Sequence, residues 1–215
     1  MSSQMWNNAR LRRKIGPGRS GMAFRNPPLP RQGEKTTMIY FIADTHFGHE
    51  NVIRFCGRPF SCAAEMDEAL IENWNRRVHK HDSVYIVGDM FLHSLNAEQI
   101  LRRLKGRKHL IVGNHDGSWM AALDTAKYFE SADRFLETTD GKRAITLCHY
   151  PLLSWKHSAR SYMIHGHIHN DRRADFWPLI AARERVLNAG VDINGFMPVT
   201  FEELAENNAR FKGKL

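Results

Sequence analysis

Cysteine is scarce in this chain. Of 215 residues only Cys56, Cys62 and Cys148 carry a thiol, and no two of them stand in CxxC spacing. An odd count without that spacing argues against a disulfide framework and leads to the expectation of a reducing, cytoplasmic setting. Long apolar runs are missing too. No stretch of about 18 apolar residues is present to span a bilayer, and the first residues lack the apolar centre of a secretory signal. No membrane partner is therefore expected.

Acidic residues are nearly absent from the first 37 positions, where eight lysines and arginines face Glu34 alone. That segment accounts for +7 of the formal net charge of +8. The rest of the chain is close to neutral and has no broad positive field for a polyanion, so nucleic acid is not indicated as a partner by the domain itself. Residues 1–37 are rich in Pro, Gly, Ser, Asn and Arg without a sustained period and read as a disordered basic tail. Met38, directly before the first buried strand, reads as the natural start. A nucleic-acid arm and an organellar transit segment are the competing readings of the tail. Residues 38–215, in a chain with 42% hydrophobic content, are expected to bury one core and form one domain, with no room for a cap over a site.

Periodicity fills in that domain. Residues 38–43 read as a strand. A helix capped by Ser61 is expected to run to about Lys80, with Met66, Leu70, Ile71, Trp74 and Val78 at helical spacing. A strand at 84–88, a helix from Asn96 to Gly106 and a strand at 109–113 follow. Further strands are expected near 144–148, 162–168 and 186–191, then a helix opened by Thr200, whose Thr-Phe-Glu-Glu is a capping box onto Glu203. The alternation predicts an α/β fold.

Metal-suited residues are plentiful, and they come in five short blocks: Asp44 with His46, Gly88-Asp89, Gly113-Asn114-His115-Asp116, His149, and Gly166-His167-Ile168-His169. Four follow an apolar run (MIYFIA, VYIVG, HLIVG, AITLC) and the fifth follows the shorter SYMI. Each thus stands where a buried strand ends, the place at which open α/β sheets keep their chemistry. Two divalent cations about 3.5–4 Å apart can clamp the attacking and leaving oxygens of a displacement at phosphorus. Imidazole suits zinc, iron and related metals, while carboxylate and amide oxygens admit manganese. Manganese is the expected ion, with Fe, Zn, Co or Ni as alternatives. The lack of cysteine among these blocks argues against a structural zinc site.

In this order the motifs D-x-H, G-D, G-N-H-[ED], H and G-H-x-H, spread over residues 44–169, resemble those of the calcineurin-like metallophosphoesterases. The stretches MIYFIADTHFGHENVIRFCGRPF and LNAGVDINGFMPVTFEEL are similar to a subgroup of small bacterial and phage phosphoesterases of unassigned substrate. The resemblance implies a four-layer α-β-β-α sandwich with the metal site on loops at strand ends, and a metal-dependent phosphoric ester hydrolase. Motif by motif it implies that Asp44, His46 and His169 hold one ion, that Asp89 bridges, and that Asn114, His149 and His167 hold the other. A bridging hydroxide would attack phosphorus in a phosphodiester or phosphomonoester, with His115 assisting the leaving oxygen.

One departure from the family pattern concerns His115. After Gly88-Asp89 the chain reads Met90-Phe91-Leu92-His93, without the acid that orients the corresponding histidine in protein phosphatases. Asp116 is a candidate to compensate. Phosphoproteins are disfavoured as substrates. Nucleotides, other small esters and nucleic-acid ends stay open, as does a non-catalytic metal-binding scaffold. His49, Asn51, Arg54 and Arg58 are expected on the rim, either meeting substrate or as solvated loop residues. Alternating spacing puts His165 on the side of His167 and His169 if the strand stays regular, as a support for the ligands or a core histidine. Cys148 and His149 are strand neighbours on opposite faces and make a poor nucleophilic dyad. Asp192 and Asn194 receive no role.

Overall fold

Tyr40 and Ile42 face one way and Phe41 and Ala43 the other, and this period of two sets the layers of the molecule. The computed structural model describes residues 37–92 and 96–215. The expected basic tail, apart from its last position, lies outside the described residues, as does His93. Strands β1 (Ile39–Ile42), β2 (Ser83–Ile86), β3 (Arg107–Ile111) and β4 (Ser131–Asp133) form a parallel sheet in sequence order. Strands β5 (Phe135–Thr139), β6 (Ala144–Cys148), β7 (Tyr162–His165) and β8 (Val186–Asn188) form a second sheet. There β6, β7 and β8 are parallel, and β5 is the antiparallel mate of β6.

Helices α1 (Glu50–Cys56), α2 (Ala63–Arg77), α3 (Ala97–Arg103), α4 (Gly117–Ala121), α5 (Trp177–Ala181) and α6 (Phe201–Phe211) complete the fold. Met66, Leu70 and Trp74 of α2, with Ile100 and Leu101 of α3, share a core with Tyr40, Ile42, Val84 and Ile86 on the outer face of the first sheet. Phe41, Val87 and Ile111 on its inner face pack with Ile145, Leu147, Ile164 and Leu187 of the second sheet. Met163 and Val186 on the far face of that sheet pack with Ile180 of α5. Helix, sheet, sheet and helix thus form four layers, each joined to the next by apolar contact.

Parallel strands align their carboxyl ends, and here that alignment gathers the motifs. Ile42 pairs with Ile86 and Ile86 with Leu110, so the blocks after β1, β2 and β3 leave one edge of the first sheet together. Leu147 pairs with Ile164, which brings the blocks after β6 and β7 to one edge of the second. The sheets meet at this end. Ala43 N–H donates to Ala189 O (2.8 Å) and Val191 N–H donates to Ala43 O (3.0 Å), tying the exit of β1 to the exit of β8.

Some element boundaries differ from the periodicity. The helix expected from Ser61 has Cys62 at its N-cap position and ends at Arg77, while Glu65 reaches back to accept from the Ser61 N–H at 2.7 Å. Strands expected to reach 168 and 191 stop at His165 and Asn188. The cause at the first is that His167 and His169 leave the extended region, with φ of 72° and 49°. The capping box of α6 is present: Glu203 N–H donates to Thr200 Oγ1 (3.4 Å) and Thr200 N–H donates to Glu203 Oε2 (2.8 Å). No helical or strand period in the sequence pointed to α1, α4, α5, β4 or β5, none of which exceeds seven residues.

Candidate metal centre

The loops that follow the strands are sharply bent. Asp44, His46, Asp89, His167 and His169 all have positive φ, between 49° and 72°. A side chain in this left-handed region costs about 1–2 kcal/mol each. Backbone hydrogen bonds between loops offset part of that cost: Asp44 N–H donates to Gly88 O (3.0 Å), His46 N–H to Asp89 O (3.1 Å) and Phe47 N–H to Met90 O (2.9 Å). Two of the glycines that open blocks are there for close approach. A Cβ on Gly88 would lie 2.2 Å from His149 Nδ1, and one on Gly113 would lie 2.3 Å from Asp89 Oδ1.

These bends aim the side chains into two clusters. Ligand atoms of Asp44, His46 and His169 lie within 4.8 Å of one another, and so do those of Asp89, His149 and His167. Asn114 Oδ1 is 3.0 Å from both His149 Nε2 and His167 Nδ1 and so belongs with the second cluster. Asp89 Oδ2 stands between the two, 3.7 Å from His46 Nε2 and 3.3 Å from His149 Nε2. The structure thus brings all seven of the residues singled out in the sequence to one place.

The donor set suits a cation. His46 is buried with neither ring nitrogen hydrogen-bonded. An unpartnered buried polar atom costs about 1–3 kcal/mol. Burial, and then the neighbouring His169, push its pKa down to about 2, so the ring stays neutral and keeps a lone pair for a metal. Burial alone would raise Asp89, but the His149 hydrogen bond and charge, the His115 N–H and His46 bring it down to about 2. Asp44 goes the other way, raised by burial to about 6 against the pull of His169 and His149. Four imidazoles, two carboxylates and an amide oxygen make a donor set for divalent transition metals.

Residues 37–200 match the family model of the calcineurin-like phosphoesterases. The chain belongs to that family. It is accordingly a metal-dependent phosphoester hydrolase by kind. An uncharacterized protein of Methanocaldococcus jannaschii is 35% identical over 167 residues, covering 76% of this chain and 87% of the relative. The Gene 66 protein of Mycobacterium phage L5 is 26% identical over 188 residues, covering 73% of this chain and 87% of its own length. Among solved structures, a protein of unknown function from Aquifex aeolicus superimposes with a TM-score of 0.61 at 27% identity, over 80% of this chain and 99% of its own.

Around the two clusters of this calcineurin-like centre, the remaining predicted residues fall into distinct places. The backbone N–H of His115 donates to Asp89 Oδ1 (2.9 Å). Its ring Nε2 lies 3.9 Å from Asp89 Oδ2, and the side chain is 42% exposed. Asp116 does not orient that ring. It is fully buried, and its carboxylate accepts from the N–H groups of Asp89 (2.9 Å), Met90 (2.9 Å) and Gly113 (2.8 Å) and from the Trp119 indole (2.9 Å). Nor does Arg58 line the rim. It is buried, held by Asp192 and by the carbonyls of Asp44 and Thr45. Arg54 and Asn51 do stay at the surface, paired to each other at 2.6 Å. The His49 ring sits 5.3 Å from that of His46, beside the first cluster. His165 is wholly buried, with Nδ1 2.8 Å from Gly166 O, and the strand geometry on which its shared side depended ends at that residue. Burial pushes its pKa down to about 3, so it sits as a neutral core histidine. Cys148 packs into the α5-side core while His149 faces the metal clusters, as strand alternation requires.

Two features were not anticipated. Asp192 contacts His169, and Asn194 Nδ2 donates to the carbonyls of Asn188 (3.1 Å) and Gly190 (2.8 Å). A cavity of about 760 Å³ also opens beside His167 and His169, lined among others by Phe55, Arg172, Arg173 and Phe176.

The loop after His46 carries a titration that stability can report. Gly48 N–H donates to both oxygens of Asp67 (2.9 and 3.1 Å), and burial raises Asp67 from 3.8 to about 6. The folded chain thus binds more protons than the unfolded chain between these values, and the contribution of Asp67 declines as pH rises through about 6. Asp67→Asn keeps an acceptor for Gly48 without the half-buried charge. It is expected to be more stable than the parent at pH 7.5 and no more stable at pH 4. Urea midpoints at the two pH values measure this, and a gain of equal size at both would refute it.

Proposed function

We propose that this chain hydrolyses phosphodiesters at a centre of two divalent cations, with Asp89 shared between them. The observation that carries the reading is the position of Asp89 Oδ2 between His46 Nε2 and His149 Nε2. Asp44, His46 and His169 would hold one ion and Asn114, His149 and His167 the other. Bound there, the cations supply an activated water and offset charge developing at phosphorus. Manganese, the expected ion, suits the carboxylate and amide oxygens, and iron, zinc, cobalt or nickel suit the imidazoles.

The remaining steps belong to side chains. His115 is anchored through its backbone to Asp89 while its ring is half exposed, which suits a donor that meets the leaving oxygen on the open side. The cavity beside His167 and His169 has room for the second substituent of a diester, which a monoester lacks. Phe55 there is 74% exposed and Phe176 is 39% exposed, offering apolar faces to a ring, with Arg172 and Arg173 on the same wall. Three free thiols agree with a cytoplasmic site of action.

Turnover of bis(p-nitrophenyl) phosphate and p-nitrophenyl phosphate, with Mn, Fe, Zn, Co and Ni supplied in turn, tests the proposal. Diester hydrolysis faster than monoester hydrolysis is expected. No turnover with any of these ions would favour the non-catalytic scaffold instead. Hydrolysis of nucleic-acid ends with a KM that climbs steeply with salt would move the substrate to a polyanion.

His115→Ala separates the leaving-group role from other roles. A proton donor contributes about 10²–10⁴-fold where the leaving oxygen is basic. A loss of that size is expected with an alkyl ester leaving group and a much smaller one with p-nitrophenolate, which leaves readily without a proton. Equal losses on the two substrates would remove His115 from the leaving-group step.

A further inference from the structure

Behind the first cluster lies a charged pair that the metal chemistry does not itself require. Arg58 follows α1, and Asp192 sits in the turn Val191–Ile193 after β8, so the two are 134 residues apart. Their side chains are 0% and 1% exposed. Arg58 Nε donates to Asp192 Oδ1 (2.8 Å) and Nη2 donates to Oδ2 (3.1 Å), a bidentate fork. The same guanidinium reaches the backbone of the first block, with Nη2 on Asp44 O (2.7 Å) and Nη1 on Thr45 O (2.9 Å). Asp192 Oδ2 lies 2.8 Å from His169 Nδ1.

The direction of that last bond is decided by chemistry. Both oxygens of Asp192 accept from the permanently charged guanidinium of Arg58, so the group stands there as a carboxylate. A carboxylate can only accept, so Nδ1 of His169 must carry the proton, and Nε2 is the nitrogen left to face a metal. A histidine locked in one tautomer and one ring orientation by a carboxylate is a better metal ligand than a free one.

We propose that Asp192 and Arg58 are positioning residues for one of the two cation sites only. This rests on the two-cation reading above. All three members of the first cluster depend on the pair: His169 through its tautomer, and Asp44 and His46 through the carbonyls of the bent Asp44-Thr45 loop. The second cluster has its own supports. His149 Nδ1 lies 2.9 Å from Val87 O, and the turn bearing Asn114 is held by Asp116.

The test is a titration of the metal-stripped full chain with Mn²⁺, read by calorimetry and by electron paramagnetic resonance. The parent should bind two ions and give the spin-coupled signal of a close pair. If it binds fewer than two, the two-cation reading fails and the pair is not what failed. If it binds two, Asp192→Asn should weaken one site by about 10–100-fold and leave the other near its parental affinity. An uncoupled single-ion spectrum should then appear at one equivalent. His149→Ala should remove the other site. A buried arginine without its partner can prevent folding, so the double variant Arg58→Met with Asp192→Leu, which removes both charges, provides a second route to the same one-site loss. A folded Asp192→Asn that keeps both sites at parental affinity, or weakens both equally, overturns the proposal, and so does a folded double variant that binds two ions with unchanged affinity.

Discussion

Asp89→Ala is expected to lower kcat/KM for a phosphodiester by about 10³-fold or more, because it removes a ligand of the cations that would activate water and offset charge at phosphorus. Every contact of this carboxylate faces the reaction centre. One oxygen lies between His46 and His149, and the other accepts the His115 backbone N–H. Its pKa of about 2 keeps it charged throughout the neutral range. Asp89 stands beside histidines of both clusters, so cations held there would lose with it a carboxylate that offsets their mutual repulsion. Bound metal should therefore fall along with activity. Metal content after gel filtration, set beside steady-state rates, checks both halves. Asp89→Asn preserves the shape and an acceptor for His115, so a loss nearly as large in that variant would assign the effect to charge, not packing. Activity untouched by Asp89→Ala would defeat the enzymatic mechanism as proposed.

The ligands were legible in the sequence because their information is local. Each block follows directly on a buried run, and a parallel strand can deliver its next residue to only one edge of the sheet. Once β1, β2, β3, β6 and β7 are strands, the convergence of Asp44, Asp89, Asn114, His149 and His167 follows from register. Strand alternation likewise separated Cys148 from His149. For His165 that logic held only on condition of a regular strand; the strand ends there, before the bends to positive φ at His167 and His169, and His165 takes the core place that was its alternative. Nothing in Gly-His-Ile-His announces those bends, which take His167 to one cluster and His169 to the other.

The supports behind the ligands were illegible for a different reason. Arg58 reads as a rim residue, meeting substrate or solvated, because it lies just beyond the first block with other polar residues. Its burial depends on Asp192, 134 positions away, and no local pattern reports a pairing at that distance. A hint did exist in the segment LNAGVDINGF, which stood out by resemblance while its Asp192 and Asn194 received no role. The structure explains it residue by residue: Asn188 donates to His169 O (2.8 Å), Asp192 orders the His169 ring, and Asn194 closes the turn on Asn188 and Gly190. Asn188, Asp192 and Asn194 are thus hydrogen-bonded supports behind the first cluster.

Asp116 illustrates how large such a support can be, and Asp116→Ala is expected to be the most destabilising single change in the centre. The side chain alone satisfies four buried donors: three backbone N–H groups from the second and third blocks and the indole of Trp119. Leaving a buried donor unmade costs about 1–3 kcal/mol, so the loss should exceed about 4 kcal/mol and approach the whole stability of a domain this size. The effect on chemistry follows from the same bonds. Asp116 ties the turn that presents Asp89 to the turn that presents Asn114, and these carry the carboxylate between the two clusters and an amide beside the second. Asp116→Asn retains one carbonyl oxygen where two carboxylate oxygens worked, so it should keep only part of the stability. Urea unfolding of the parent and both variants, without added metal, measures this directly. Added Mn²⁺ should stabilise the parent strongly and the asparagine variant less, because metal binds the folded chain and only a correctly joined pair of turns offers both sites. An alanine variant as stable as the parent would mean that the loops are held by their strands alone and that Asp116 has no part in shaping the site.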